Sequence, residues 1–198
     1  QKGRKEYNKR SAVRTVFTLL RALDNIEDSR LNKQEKFTLI QRLVGNVVGK
    51  VVRRDKETGI EDILNGDDLK TIAEKLTGGA RNEKEEVFAE QFGKGSVLRD
   101  LYEFDKPIRE AIDYTIQSVG LGVNDFLQRG EIQTPEQLQD YCYYVAGRVG
   151  VFLNTLLHLE DKDSSGNPIS LDEKHSSALG EFLQIINIAQ DVRKDWEE

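Results

Sequence analysis

Phe182-Leu183-Gln184-Ile185-Ile186-Asn187-Ile188-Ala189-Gln190-Asp191-Val192-Arg193-Lys194-Asp195 reads as a helix carrying a single polar stripe. Gln184, Asn187, Asp191 and Asp195 are spaced 3, 4 and 4 residues apart, which keeps them within about a quarter of the helix circumference. Ile185, Ile186 and Ile188 flank the stripe and are expected to pack it into a helical bundle. Polar groups among apolar neighbours are costly unless they hold a ligand or a partner.

Near the other end of the chain, Asp24-Asn25-Ile26-Glu27-Asp28 repeats the theme. Asp24 and Asp28 project from one helix face a turn apart, where like charges repel. A divalent cation would offset that repulsion, and magnesium takes carboxylate oxygens while leaving positions for phosphate oxygens. The same face begins with Val13, Phe17 and Leu20, with Arg21 beside it, so an apolar stripe turns acidic towards its C-terminal end. The competing reading is a pair of solvated acidic faces neutralised by Arg21, Arg193 and Lys194.

Between these ends the pattern is helical throughout. The chain has 198 residues, 37% of them apolar and 32% charged, and three prolines. Apolar residues recur at helical spacing over about 6–29, 33–53, 67–76, 83–93, 97–129, 135–160 and 173–197. Asn32, Thr134 and Asp172 are predicted N-caps, with Pro135 at a first helical position. The 97–129 run is expected to break near Pro107 or Gly120-Leu121-Gly122. No strand series or internal repeat is visible, so the predicted class is all-α, with residues 1–198 as one domain. The net charge of −6 argues against a nucleic-acid partner. A single cysteine, Cys142, excludes an internal disulfide and points to a reducing, cytoplasmic compartment. The chain lacks Met and begins at Gln1, and it reads as part of a longer polypeptide.

Tyr141-Cys142-Tyr143-Tyr144-Val145-Ala146-Gly147-Arg148-Val149-Gly150 spends two glycines inside a predicted helix, each costing about 1 kcal/mol relative to Ala. Glycine there signals close approach of a second helix or of a ligand. On physics alone, tight helix packing with core tyrosines is the simpler account.

These segments together resemble the squalene and phytoene synthases, and most closely the squalene synthases. Leu20 to Ser29 resembles the first aspartate-rich motif, Tyr141 to Gly150 the tyrosine-cysteine-x-tyrosine-x-alanine-glycine signature, and Phe182 to Asp195 the second aspartate-rich helix. The resemblance implies an isoprenoid-synthase helical bundle with a central cavity. It also implies condensation of two farnesyl diphosphates, head to head, through a cyclopropyl diphosphate that is then reduced with NADPH. Asp24, Glu27, Asp28, Asp191 and Asp195 would bind magnesium, Arg21 would offset phosphate charge, and Tyr141 would steer the carbocation. Gln184, Asn187, Tyr144, Ala146, Gly147, Phe17 and Leu20 would contact the prenyl diphosphate, and no residue is assigned to NADPH. A greasy product implies peripheral membrane contact.

Three departures from the family pattern are visible, one being that the sequence stops before the basic, tyrosine-containing segment that usually follows the second motif. The N-terminal phenylalanine and serine-arginine segment has no match, and Lys194 stands before Asp195 where an acidic pair is usual. Two alternatives stay open: a phytoene or dehydrosqualene synthase, which needs no reductant, and a non-catalytic interaction subunit. Asp161 to Asp172 partly imitates a calcium-binding EF-hand loop, but Asp172 stands where Glu is expected, and a solvated turn is the expectation. His158 and His175 are expected at the surface.

Overall fold

The computed structural model describes residues 2–52, 66–94, 97, 100–166, 169 and 172–197, the side chains of 2–7, 49–52, 66–69, 102, 191 and 193–197 excepted. No strand occurs among the described residues. The helices are α1 (Lys2–Asp28), α2 (Lys33–Val52), α3 (Gly66–Gly79), α4 (Glu83–Gly93), α5 (Lys106–Arg129), α6 (Pro135–Cys142), α7 (Arg148–His158) and α8 (Glu173–Glu197). A 3₁₀ turn spans Leu101–Glu103, and a π-helical turn, Tyr143–Gly147, joins α6 to α7.

Local chemistry sets the helix starts. Asn32 accepts from the Glu35 N–H at 3.0 Å while the Glu35 carboxylate accepts from the Asn32 N–H at 3.3 Å, a reciprocal capping box. Thr134 accepts from the Gln137 N–H at 3.2 Å and Asp172 from the Lys174 N–H at 2.9 Å, so all three predicted caps are observed. α5 begins at Lys106, beside Pro107, while Gly120-Leu121-Gly122 runs on as helix. Gly120 is there for closeness, since a Cβ on it would overlap the Val44 Cγ2 of α2. Gly130 ends α5 with φ +90°, a left-handed conformation that glycine adopts without penalty.

The helices form two compact units, residues 1–128 and 129–198. In the first, α1 buries Ala12, Val16, Leu19, Leu23 and Ile26, and α2 buries Leu39, Ile40, Leu43 and Val47. Ile112, Ile116, Val119 and Val123 of α5 are buried in the same unit, each such side chain stabilising the fold by about 1.5–3 kcal/mol. α3 packs closely on α4, where a Cβ on Gly93 would lie 2.6 Å from the Ala73 Cβ.

The second unit is built by backbone contact. A Cβ on Gly180 of α8 would overlap the Ala146 carbonyl oxygen, and one on Gly150 of α7 would overlap the Ser176 carbonyl oxygen. Gly147 is buried, with the Glu181 Cγ and Ser177 Cβ each 3.2 Å from where its Cβ would be. The glycines of the tyrosine segment therefore admit a second helix, the packing alternative. Cys142, Phe152 and Leu156 complete this core.

Because α8 meets its own unit through Ser176, Ser177, Gly180 and Glu181, several of its larger side chains point elsewhere. Ile185 is 46% exposed, as are Leu179, Phe182, Leu183 and Val192 to a greater degree. The expectation that Ile185 packs the stripe inward is thus corrected; the small residues hold the helix in place. Ile186 and Ile188 are partly buried.

Candidate functional site

The C-terminal half of α1 carries the first acidic face. Its opposite side is the core stripe Leu19, Leu23 and Ile26, which fixes the rotation of the helix and turns Phe17, Leu20, Asp24 and Asp28 away from the core. Phe17 is 50% exposed, and Leu20 is partly buried. Asp24 accepts from Arg21 Nη1 at 2.8 Å, with both side chains about half-exposed. Burial of its surroundings and the neighbouring Asp28 push the Asp24 carboxyl upward, and Arg21 and Arg81 oppose the rise. The repulsion inferred from the four-residue spacing is therefore present, and two guanidiniums moderate it. Glu27, on the same turn, is partly buried, and its carbonyl accepts from Lys36 Nζ at 2.6 Å.

Arg81, from the loop before α4, had no role in the sequence reading. Its Nη2 donates to Asp28 Oδ2 at 2.6 Å and to Glu85 Oε1 at 2.9 Å. Glu85 is buried, yet its carboxylate also accepts from the Arg81 backbone N–H at 2.8 Å and from Asn82 Nδ2 at 3.0 Å. A sequence signal for this arrangement exists: Asn82-Glu83-Lys84-Glu85 is a capping-box pattern directly after a glycine-rich loop. What periodicity could not give was the meeting of that loop with the end of α1, 53 residues earlier in the chain.

In the second unit, Tyr141 of α6 is half-buried, as are Tyr144 and Ala146 in the π turn, while Gly147 is fully buried. Tyr143 and Tyr144 meet edge to face, 5.5 Å between ring centroids, and the Arg148 guanidinium lies 4.7 Å from the Tyr143 ring centre. A π turn inside a helix is rare and marks functional sites more often than ordinary helix does. On α8, Gln184 is partly buried and Asn187 exposed. Asp191 and Asp195 lie on this helix, but their side chains fall outside the described residues. Asp172 caps α8, as expected, and also pairs with the His175 ring. His158 and His175 are surface residues.

A family model described as squalene/phytoene synthase matches residues 7–198. The chain belongs to the squalene/phytoene synthase family. Over 201 residues it is 26% identical to a squalene synthase of Schizosaccharomyces pombe, a match covering 96% of this chain and 37% of that protein. It is 34% identical over 123 residues to a squalene synthase of Gibberella zeae, covering 59% of this chain and 25% of that one. The chain thus spans well under half the length of these curated relatives. The solved structure of TcSQS with a bound ligand superposes with a TM-score of 0.67 at 24% identity, covering 96% of this chain and 48% of that one. That likeness shows the fold, the all-α isoprenoid-synthase type.

For a squalene/phytoene synthase family member, the donor chemistry of the α1 face suits magnesium. Asp24 and Asp28 offer hard carboxylate oxygens one turn apart, and magnesium is commonly held by one or two carboxylates with water and phosphate oxygens completing its shell. Among the described residues no group of three or more acidic, His or Cys side chains is gathered that could hold a metal ion. No helix among the described residues is long and apolar enough to cross a membrane.

Proposed function

We propose that the protein is a squalene-synthase-like prenyl transferase that joins two farnesyl diphosphates head to head. The observation that carries this reading is the α1 face of a family member: apolar Phe17 and Leu20 running into Asp24 and Asp28. Such a face suits an amphiphile with a hydrocarbon tail and a diphosphate head.

In this reading Asp24, Glu27 and Asp28 bind magnesium, as do Asp191 and Asp195. Magnesium, when bound, supplies the charge that lets the diphosphate depart from its allylic carbon. Arg21 offers a cationic donor to diphosphate oxygens, and Gln184 and Asn187 on α8 are assigned amide contacts to a prenyl diphosphate. Phe17 and Leu20 exclude water from the hydrocarbon, as do Tyr144, Ala146 and Gly147. Tyr141 offers an aromatic face to the allylic cation. The cation adds to the double bond of the second farnesyl diphosphate, losing a proton to give a cyclopropylcarbinyl diphosphate. Loss of the remaining diphosphate, rearrangement and addition of a hydride, which NADPH would supply, would give squalene; no residue is assigned to that cofactor.

The family model names phytoene synthases equally, so a second reading, a phytoene or dehydrosqualene synthase, differs in the final step and, for phytoene, in the length of the prenyl chain. Incubation with farnesyl or geranylgeranyl diphosphate and magnesium, with and without NADPH, separates them. Squalene formed only with NADPH is expected. A hydrocarbon of unchanged identity without reductant would favour the carotenoid-type reaction, and no product from any substrate would leave an interaction subunit.

A further inference from the structure

We infer that Arg81 is a built-in counter-cation of the first acidic face, a positioning residue that a divalent ion must displace from Asp28. The inference rests on the proposed metal role of Asp24 and Asp28. It adds a residue from outside every motif and a competition that sets how readily the face takes up its ion.

Arg81 is held from behind rather than merely tethered. The Glu85 carboxylate accepts from its backbone N–H at 2.8 Å, from Nε at 3.1 Å and from Nη2 at 2.9 Å. The Glu85 side chain is 5% exposed, whereas those of Arg81 and Asp28 are 45% and 41% exposed. One end of the network is therefore fixed in the protein and the other is open to solvent. The loop that carries Arg81 is itself seated on the turn after α1. The Arg30 N–H donates to the Gly79 carbonyl at 2.9 Å, and a Cβ on Gly79 would lie 2.9 Å from the Leu31 Cγ. The guanidinium thus reaches Asp28 from a fixed origin.

A guanidinium has five N–H donors in a rigid fork, and only one contact is spent on Asp28. When a dication takes the Asp28 oxygens, Arg81 keeps all three of its bonds to Glu85. The displacement costs one half-exposed ion pair, so the competition is mild and reversible. Arg21 does the corresponding work on Asp24, but from the same helix and three residues away. Arg81 makes the metal affinity of α1 depend on a second element.

The test is direct binding of manganese, as a magnesium surrogate, to the protein without any prenyl substrate, followed by the resonance of the free ion. The relevant signal is the binding lost in Asp28→Asn. Arg81→Gln is expected to tighten that binding by about twofold to fivefold, the range for an ion pair of this exposure. Arg81→Lys, which keeps the charge, is expected to stay near the parent value. Because Arg81→Gln leaves the buried Glu85 carboxylate without its counter-charge, the double variant Arg81→Gln/Glu85→Gln removes both charges and is expected to tighten binding in the same direction. Unchanged or weaker binding in folded Arg81→Gln and in the double variant overturns the inference and leaves the metal assignment intact. Absence of any Asp28-dependent binding in the parent overturns both.

Discussion

Burial on α5 pushes the Asp113 carboxyl from its ordinary 3.8 up to about 7, with Arg109 opposing the rise and Glu110 adding to it. The folded protein therefore holds a proton there that the unfolded chain has released between about pH 4 and pH 7. Stability contributed by this group is full below the unfolded value and is lost as pH rises through the folded one. Asp113→Asn should leave the melting temperature near its parent value at pH 4 and raise it at pH 8, flattening the pH profile. An equal shift at both pH values would count against this assignment. Glu85 shows the opposite outcome of burial. Desolvation alone would raise its carboxyl, but donors from Arg81 and Asn82 hold it below the ordinary range. The two residues differ in donors more than in depth.

At the scale of elements, the two kinds of helical glycine make opposite predictions. Gly45 sits inside α2 with nothing near the position of a Cβ, so Gly45→Ala should stabilise by up to about 1 kcal/mol through helix propensity. Gly180 faces the Ala146 carbonyl oxygen, so Gly180→Ala should destabilise by about 1–3 kcal/mol as α8 is forced off the π turn. Melting both variants checks the pair, and a stabilised Gly180→Ala would contradict the backbone packing. Sequence periodicity and capping residues gave the helices closely, since Asn32, Thr134 and Asp172 act through neighbours two to four residues away. The acidic face of α1 was legible for the same reason. The π turn was not, because an extra residue in a helical turn leaves the apolar pattern nearly unchanged. Arg81 was not legible either, because its partner Asp28 is remote in sequence. The exposure of Ile185 escaped as well: hydrophobicity marked it for packing, whereas glycine and serine make the contact.

For the whole molecule, family membership and the α1 face together support the proposed diphosphate chemistry, and the face can be tested without knowing the final hydrocarbon. Ionisation precedes every later branch, so release of diphosphate reports on the step common to squalene-type and phytoene-type products. The decisive measurement is magnesium-dependent release of inorganic diphosphate from farnesyl diphosphate by the protein and by Asp24→Asn. The account predicts release that requires magnesium and falls in a stably folded variant by on the order of a hundredfold or more, the scale of losing a group that stabilises transition-state charge. Release by Asp24→Asn at the parent rate, or no release by the parent with magnesium present, would contradict it.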